Sequence, residues 1–222
     1  MKTKKIAAAA AVGFLLGAAG AAQAQVALAE GFNNVPALAG AGWTFRNTST
    51  SPGTNWFQGN AGIFVAQSGA PDAYVAANFL GTTGLTGAVS TWLITPQLVL
   101  DATSTVSMVV QVGGQGFLDT LQVMLSTTGT APADFSPIGS FSASANAGWV
   151  PLSFSTLLTV TSPAYVALRY VVDDVAVNGN YLGIDNLVVT AVPEPVSALL
   201  FGLGLAGLAG GACVRARRRL AV

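Results

Sequence analysis

Short runs in which apolar and polar residues alternate fill the middle of the chain, and they restrict its fold more than any other feature. In 104–112, every second residue from Val106 to Val112 is apolar, and the same period recurs in 119–126 and 164–172. A strand with this period places one side against a core and the other toward water, which is the arrangement of an antiparallel sheet. The middle of the chain is therefore predicted to be all-β.

The segments between these runs favour two sheets packed face to face. Gly, Pro, Asn and Ser separate the runs, and no long stretch has the apolar spacing of a helix. About ten short strands without helices are typical of a sandwich, so residues 25–191 are predicted to form a jelly-roll-like antiparallel β-sandwich. Asn178-Gly179 is a strong turn signal and predicts a hairpin between 175–177 and 181–182. The other predicted strands are 26–32, 61–67, 73–78, 90–94, 147–154, 181–190 and one near Phe141.

The start of the chain has the three parts of a secretory signal peptide. Three lysines among the first five residues precede an apolar stretch at 6–22, and Ala22 and Ala24 form a small-x-small cleavage site before Gln25. Residues 1–24 are therefore predicted to be removed on export, which makes Gln25 the first residue of the mature protein. The alternative is an N-terminal membrane anchor that stays attached.

The end of the chain combines a polar break, an apolar run and a cationic tail. The apolar run at 196–214 holds 19 residues, and a helix of that length spans about 28 Å, close to the ~30 Å hydrocarbon core of a bilayer. The arginines that follow predict a cytoplasmic end, so residues 192–222 are predicted to be a membrane anchor segment. The polar break is Pro193-Glu194-Pro195, and the arginines of the tail at 215–219 are Arg215, Arg217, Arg218 and Arg219.

This end segment resembles the PEP-CTERM sorting signal of Gram-negative bacteria in its Pro193-Glu194-Pro195 motif, its Gly- and Leu-rich span and its arginine cluster. The resemblance implies that an exosortase recognises the segment in the inner membrane and removes it during export. It also implies a final location at the cell surface or in the extracellular matrix, with a link to exopolysaccharide and biofilm. The alternative is an ordinary tail anchor that is not cleaved.

The charge of the predicted mature body excludes several classes of function. Residues 25–192 hold two cations against eight acidic residues, a net charge of −6. Without a basic patch, nucleic acid and anionic membrane surfaces are poor partners. The chain has no His, and its single Cys lies in the end segment, which excludes His-dependent catalytic triads and zinc sites built from His or Cys. We therefore predict that the protein is not an enzyme.

Residues 29–190 are similar to the choice-of-anchor J domain, a jelly-roll module related in shape to cleaved-adhesin and MAM-type domains. The centre of the match is Trp92-Leu93-Ile94-Thr95-Pro96, which predicts a buried strand that ends at a proline. One departure is Asn186, where a second Asp is common in the family, and it weakens any acid pairing at that point. The other matching segments are 30–32, 42–43, 56–57, 119–123, 126–129, Trp149, 167–170 and 183–189.

The acidic residues are suited to a structural calcium ion, because carboxylate and carbonyl oxygens are its preferred ligands. Jelly rolls often hold such an ion between the first strand and the last. By resemblance, Glu30 and Asp185 would be its carboxylates. The alternative is that both carboxylates accept hydrogen bonds from backbone amides at a strand end.

Three kinds of function remain open at this stage. The first is a non-enzymatic surface or matrix protein that binds polysaccharide. The second is a surface-displayed hydrolase, for which two of Asp119, Asp173 and Asp185 would have to lie roughly 5–9 Å apart across a cleft. The third is a spacer domain without a ligand. Trp56-Phe57 lies in a polar loop and is either an exposed platform for stacking sugars or a pair tucked against the sandwich.

Overall fold

The computed structural model describes residues 24–100, 103–114, 116–145, 148–157 and 162–192. Most of the predicted signal peptide and all of the predicted sorting motif, membrane helix and arginine tail lie outside these residues. At the boundary, Ala24 is exposed and Gln25 begins the first strand. Twelve strands and three short 3-10 helices make up the described part, and none of these helices is long and apolar enough to cross a membrane.

The strands in chain order are β1 (Gln25–Glu30), β2 (Thr44–Asn47), β3 (Phe57–Gln58), β4 (Val75–Asn78), β5 (Val89–Ile94), β6 (Leu98–Leu100), β7 (Thr103–Gly113), β8 (Asp119–Ser126), β9 (Ser136–Ala143), β10 (Val150–Leu157), β11 (Ser162–Val172) and β12 (Tyr181–Val192). The 3-10 helices are Val35–Ala41, Phe79–Gly81 and Pro132–Asp134.

Two sheets of six strands each form the sandwich. Sheet 1 has the order β10-β7-β12-β4-β3, and β1 pairs with the second half of β12. Sheet 2 has the order β2-β5-β11-β8-β9, and β6 pairs with the start of β11. The predicted all-β class and the predicted antiparallel two-sheet sandwich are confirmed.

The inward faces of both sheets share one hydrophobic core. Val106 and Val110 of sheet 1 and Leu121 and Leu168 of sheet 2 are fully buried in it. In β7, buried and half-buried residues alternate from Ser104 to Val112, so the period of two in the sequence is the period of burial there. Full burial of one Val or Leu side chain contributes about 1.5–3 kcal/mol, which makes this layer the main source of stability.

Asn186 interrupts the alternation in β12. Its backbone φ is +52°, in the left-handed region that Asn tolerates better than most residues. Before it, Leu182 and Ile184 face the core, and after it Leu187 and Val189 do. One extra residue is accommodated as a bulge, which keeps both halves of the strand facing inward.

The two ends of the body lie side by side. Gln25 pairs with Ala191, close to the end of β12. The loops 79–87, 116–118 and 173–180 lie where β12 begins, and backbone hydrogen bonds join them to one another. The chain therefore enters and leaves at one end of the sandwich and presents these loops, here called the loop end, at the other.

Two local predictions are wrong. Residues 61–67 form turns rather than a strand, because this segment folds over the outer face of sheet 1 and packs Phe64 there. At the predicted hairpin, Gly179 does adopt the expected positive φ, +83°, but 175–177 form a turn and not a strand, and they lie between β11 of sheet 2 and β12 of sheet 1. An Asn-Gly turn reverses the chain locally and does not determine which sheet each flank joins. The short strands β2, β3 and β6 were not predicted, whereas the end of β5 before Pro96 was.

Candidate functional site

Glu30 ends β1 and fixes the turn that follows it. Its Oε1 accepts a hydrogen bond from the Phe32 backbone N–H at 2.7 Å. Phe32 is fully buried and has a φ of +52°, which a bulky residue rarely adopts. The carboxylate thus stabilises a strained turn that packs Phe32 edge-on against Trp43, with ring centroids 5.9 Å apart.

Asp185 lies on the outer face of sheet 1 and is fully buried. Its Oδ1 accepts a hydrogen bond from the Asn186 N–H at 2.6 Å, and its Oδ2 accepts one from the Ser68 N–H at 3.0 Å. Burial raises the pKa of Asp185, and these backbone N–H groups partly oppose that shift. The carboxylate ties the segment 59–73, here called the covering loop, to the outer face of sheet 1.

The two predicted calcium ligands lie on paired strands. Glu30 is opposite Leu187, and Asp185 is two residues before Leu187 in β12. Each carboxylate accepts hydrogen bonds from backbone amides, which is the alternative that the sequence left open. Within the part of the chain that the structure describes, no group of three or more His, Cys, Asp or Glu side chains is placed to hold a metal ion.

The covering loop buries a cluster of aromatic side chains on sheet 1. Phe64 of the loop stacks on Tyr74 with ring centroids 5.0 Å apart, and it meets Tyr181 and Trp149 edge-on at 5.4 Å each. The Tyr74 and Tyr181 hydroxyls are 3.2 Å apart, and both accept a hydrogen bond from the Asn60 N–H. Burial raises the pKa of both tyrosines. Part of this outer face is thus closed off as a second, smaller core.

Trp56 and Phe57 do not form an exposed platform. Trp56 is 4% exposed and packs edge-on against Tyr170 with ring centroids 6.5 Å apart. Phe57 belongs to β3 and contacts Tyr181 at 5.9 Å. The pair is tucked against the sandwich, which is the second of the two alternatives that the sequence left open.

The rest of the outer face of sheet 1 carries a shallow groove of about 360 Å³, here called the sheet 1 groove. Ser107 of β7 and Ser153 of β10 lie directly opposite each other along it. Asn186 borders the groove, and the covering loop fixes its side chain: Oδ1 accepts a hydrogen bond from Ser68 Oγ at 3.0 Å, and Nδ2 donates one to Gln67 Oε1. All residues that line the groove are uncharged.

Trp149 extends this neutral strip at one end. It lies two residues before Pro151, which lines the sheet 1 groove, and its ring packs against Phe64 and Tyr74 on the same outer face of sheet 1. Its Nε1 donates a hydrogen bond to the Val65 carbonyl at 3.0 Å, which fixes the ring. The strip therefore runs from a half-buried indole, over Pro151, to a pair of hydroxyl groups.

A second groove, of about 590 Å³, lies at the loop end. Phe79, Leu80 and Leu85 line it and are between 42% and 92% exposed. The loop end holds six of the ten exposed large hydrophobic side chains found among the described residues. Neither this groove nor the sheet 1 groove is lined by a carboxylate.

The carboxylates considered for hydrolysis have separate structural partners. Asp119 is fully buried, and its Oδ1 accepts hydrogen bonds from the Tyr170 hydroxyl at 2.5 Å and the Asn180 N–H at 2.9 Å. Burial raises the pKa of Asp119. Asp173 is exposed, and Asp185 is bonded to the covering loop. In the described residues, these three carboxylates do not face one another across either groove.

Comparison with known proteins places this sandwich in a family. The family model of the cleaved adhesin domain matches residues 25–187. The chain belongs to the cleaved adhesin domain family. Among solved structures, the K1 cleaved adhesin domain of Lys-gingipain from Porphyromonas gingivalis is 22% identical, with a TM-score of 0.58 over 76% of this chain and 98% of that one. The K3 domain of the same protein is 21% identical, with a TM-score of 0.57 over 76% and 99%.

At these identities the two solved structures show a shared fold and nothing finer. No curated protein sequence matches this cleaved adhesin domain. A cleaved adhesin domain is an adhesion module of the cell surface, and such domains are typically non-catalytic.

The sequence did not reveal the sheet 1 groove of this cleaved adhesin domain. Alternation correctly assigned Ser107 to the solvent side of its strand, but it gives no information on which strand lies beside it. Ser153 comes opposite Ser107 only through the pairing of β7 with β10. Asn186 stood out in the sequence only as a departure from a family pattern, and its position at the groove follows from the bulge in β12.

Proposed function

We propose that this chain is an exported, non-enzymatic surface protein that binds polysaccharide along the sheet 1 groove. The main support is the neutral strip formed by Ser107, Ser153 and Asn186 beside Trp149. Hydroxyl and amide side chains pair with sugar hydroxyls, and an indole offers an apolar surface to a sugar ring. A shallow, open groove suits a segment of a long polymer better than an enclosed small molecule.

The placement of the body's two ends favours display on a surface. Because Gln25 and Ala191 are side by side, the predicted signal peptide and the predicted anchor join the body at the end opposite the loop end. Signal cleavage after Ala22-Gln23-Ala24 would release the chain at the same end.

Sorting by an exosortase is a proposal that rests on the sequence of 192–222. In it, Pro193-Glu194-Pro195 is the recognition motif, 196–214 spans the inner membrane, and the arginines of 215–219 stop transfer. The processed protein would reach the cell surface or extracellular matrix, in association with exopolysaccharide and biofilm. We also propose that residues 29–190 are a choice-of-anchor J domain. Mass spectrometry of the C-terminus from living cells should find loss of the tail near Pro195, and a mature chain that still carries 196–222 would contradict it.

Affinity electrophoresis tests the binding proposal. The full chain, kept in a nonionic detergent, migrates through gels that contain a neutral polysaccharide such as xylan, dextran or glucomannan. The double variant S107Y/S153Y fills the sheet 1 groove and should bind about tenfold or more weakly, since losing one good polar contact costs about that much. The control is Ser136→Tyr at an exposed position of β9 in sheet 2, which should bind normally. Retardation that survives in S107Y/S153Y would contradict the proposal.

The alternative function, a surface-displayed carbohydrate-active hydrolase that uses Asp/Glu pairs, has its own measurement. Incubation of the chain with the polysaccharide that retards it should release no reducing ends. Release that stops in Asp119→Asn or Asp185→Asn would favour the hydrolase instead.

A structural calcium ion held by Glu30 and Asp185 is a further part of the proposal. Several oxygen atoms lie near the turn after β1. The carbonyl oxygens of Phe32 and Asp72 both accept a hydrogen bond from Gln58 Nε2, at 2.9 and 2.6 Å. The Asn33 side-chain oxygen lies close to Gly69 of the covering loop. Such oxygens fit the donor preference of calcium, which would cross-link the turn and supply no reaction chemistry.

Calorimetric melting tests the ion. The midpoint should be higher in calcium than in a chelator, and Glu30→Gln should reduce that difference, whereas Asp173→Asn at an exposed position should not. An unchanged midpoint in the wild-type chain would remove the ion from the proposal.

A further inference from the structure

Both cations of the predicted mature body lie in one row on the outer face of sheet 2. Arg46 of β2 and Arg169 of β11 pair with the same residue of β5, Trp92, from opposite sides. Residues 25–192 contain no other Lys or Arg. Neighbouring strands lie about 4.8 Å apart, so the Cα atoms of the two arginines are about 10 Å apart with Trp92 between them. This arrangement is called the arginine row.

Arg169 is held in a fixed position by its neighbours. Its guanidinium lies 4.8 Å above the centre of the Trp92 ring. Its Nε donates a hydrogen bond to Ser90 Oγ at 2.9 Å, and Nη1 donates one to Gln122 Oε1 at 3.0 Å. Ser90 is itself 6% exposed and accepts a further hydrogen bond from Trp92 Nε1 at 3.1 Å. These bonds use two of the five N–H groups of the guanidinium and leave three for a ligand.

The charge of Arg169 has no counter-ion among the described residues, since none of their carboxylates forms an ion pair with Arg169 or Arg46. Partial burial lowers the pKa of Arg169. A partly buried charge is costly unless an opposite charge compensates it. A carboxylate that accepts hydrogen bonds from the remaining N–H groups of the guanidinium would supply that charge.

We propose that the arginine row binds the carboxylate of an acidic sugar. Polar residues continue the row on the next two strands, since Gln122 of β8 pairs with Arg169 and Ser140 of β9 pairs with Gln122, and their side chains can pair with the hydroxyls of the same sugar. None of the exposed large hydrophobic side chains of the described residues belongs to the strand positions of this row, and an acidic peptide would need such anchors. The net charge of −6 repels a dense polyanion, so the ligand is a short or sparsely charged chain. The inference takes its class of ligand from the proposed function but uses the sheet opposite the sheet 1 groove.

Isothermal titration of the full chain in nonionic detergent tests this with three probes. Trigalacturonate carries the carboxylates, its methyl ester is the same sugar without charge, and tri-aspartate carries carboxylates on a peptide. We expect binding of trigalacturonate that weakens as salt is raised, and binding of the ester and of tri-aspartate that is about tenfold or more weaker. Equal binding of the ester would remove the role of charge, and equal binding of tri-aspartate would overturn the assignment to sugars.

Variants locate the site. Arg46→Gln and R46Q/R169Q should lose binding of trigalacturonate, and Arg169→Lys should bind weakly because an ammonium lacks the planar fork. The control adds Thr86→Arg to R46Q/R169Q, which restores one positive charge at an exposed position of the loop end and should not restore binding. Melting curves show whether each variant is folded. If R46Q/R169Q does not fold, Arg46→Gln, which retains Arg169, tests the row. Unchanged affinity in R46Q/R169Q, or recovery of binding with Thr86→Arg, would overturn the inference.

The two proposals can fail separately. A chain that is retarded by neutral polysaccharide but does not bind trigalacturonate contradicts the arginine row alone. A chain that binds trigalacturonate but is not retarded by any neutral polysaccharide contradicts the sheet 1 groove alone.

Discussion

The two outer faces of the sandwich are closed in different ways. On sheet 1, the covering loop seals Tyr74 and its aromatic neighbours, and the buried carboxylate of Asp185 ties that loop down through backbone amides. On sheet 2, Trp92 is covered by Phe135 and by the guanidinium of Arg169, which uses two of its five N–H groups in hydrogen bonds to Ser90 and Gln122. The hydrogen-bonded covering loop on sheet 1 therefore increases the stability of the fold, whereas the guanidinium on sheet 2 retains N–H groups that can bind a ligand.

The largest expected difference between the faces is in stability. Tyr74 is fully buried beneath the covering loop, so Tyr74→Ala should leave a cavity and lower the free energy of unfolding by about 3–5 kcal/mol. The matched change on sheet 2 is Tyr165→Ala, where the ring is only half-buried and the loss should be about 1–2 kcal/mol. Urea unfolding of both variants measures the difference. Equal losses would break the contrast between the faces.

A smaller effect should come from the carboxylate that holds the covering loop. Asp185→Ala removes the acceptor of the partly buried hydrogen bonds from the Ser68 and Asn186 N–H groups, which should cost about 1–3 kcal/mol. Amide exchange in the covering loop should become faster in the same variant, because its attachment is lost. The control is Asp173→Ala at an exposed position, with an expected change within about 0.5 kcal/mol. Unaltered exchange in the covering loop would show that Asp185 does not hold it.

The pH dependence of stability sharpens the role of Asp185. Burial raises its pKa above the ordinary value of 3.8, so between the two values the native state holds a proton that the unfolded chain has released. The contribution of this group is therefore greatest at low pH and is lost as pH rises through the native pKa. Asp185→Asn should remove that loss, as seen in urea midpoints measured across a pH series.

Asp174 at the loop end gives the opposite sign and serves as the comparison. Hydrogen bonds from the Ala176 and Gly87 N–H groups lower its pKa, so its contribution is present above the unfolded pKa and is lost as pH falls through the native one. Asp174→Asn should flatten the acid side of the profile. Identical profiles for the Asp185 and Asp174 variants would contradict both assignments.

The smallest change in stability is expected on sheet 2. Arg169→Gln removes a cation–π contact and two hydrogen bonds at a partly exposed site, which should cost about 1 kcal/mol or less. If urea unfolding showed a much larger decrease in the free energy of unfolding, Arg169 would be a structural residue, and both outer faces would serve mainly to stabilise the fold.

Strand β7 and the first half of β8 could be predicted because each has one buried and one more solvated side, as Val106 and Leu121 show. The covering loop could not be, since 61–67 has the apolar content of a strand but packs its Phe64 onto a sheet instead of joining one. Alternation reports that a side chain is buried and not which layer buries it. For the same reason Trp56-Phe57 could be an exposed or a tucked pair until the contact of Trp56 with Tyr170 was known.

The candidate sites depend on register, which the sequence does not contain. The resemblance to a known family singled out Glu30 and Asp185 as candidate calcium ligands. Their hydrogen bonds to backbone amides could not be predicted, because they depend on the turn at Phe32 and on the position of the covering loop. Arg46 and Arg169 are far apart in the chain and flank Trp92 only because β2 and β11 pair with β5 in one particular register.

The most direct test of polysaccharide binding on sheet 1 is a nuclear magnetic resonance titration of the isotopically labelled full chain in detergent micelles with a neutral oligosaccharide of the polymer that retards it. We predict shift changes that centre on Ser107, Ser153, Asn186 and the Trp149 indole, with the oligosaccharide left intact. Changes confined to the loop end or to sheet 2, or cleavage of the oligosaccharide during the titration, would contradict a non-catalytic binding surface on sheet 1.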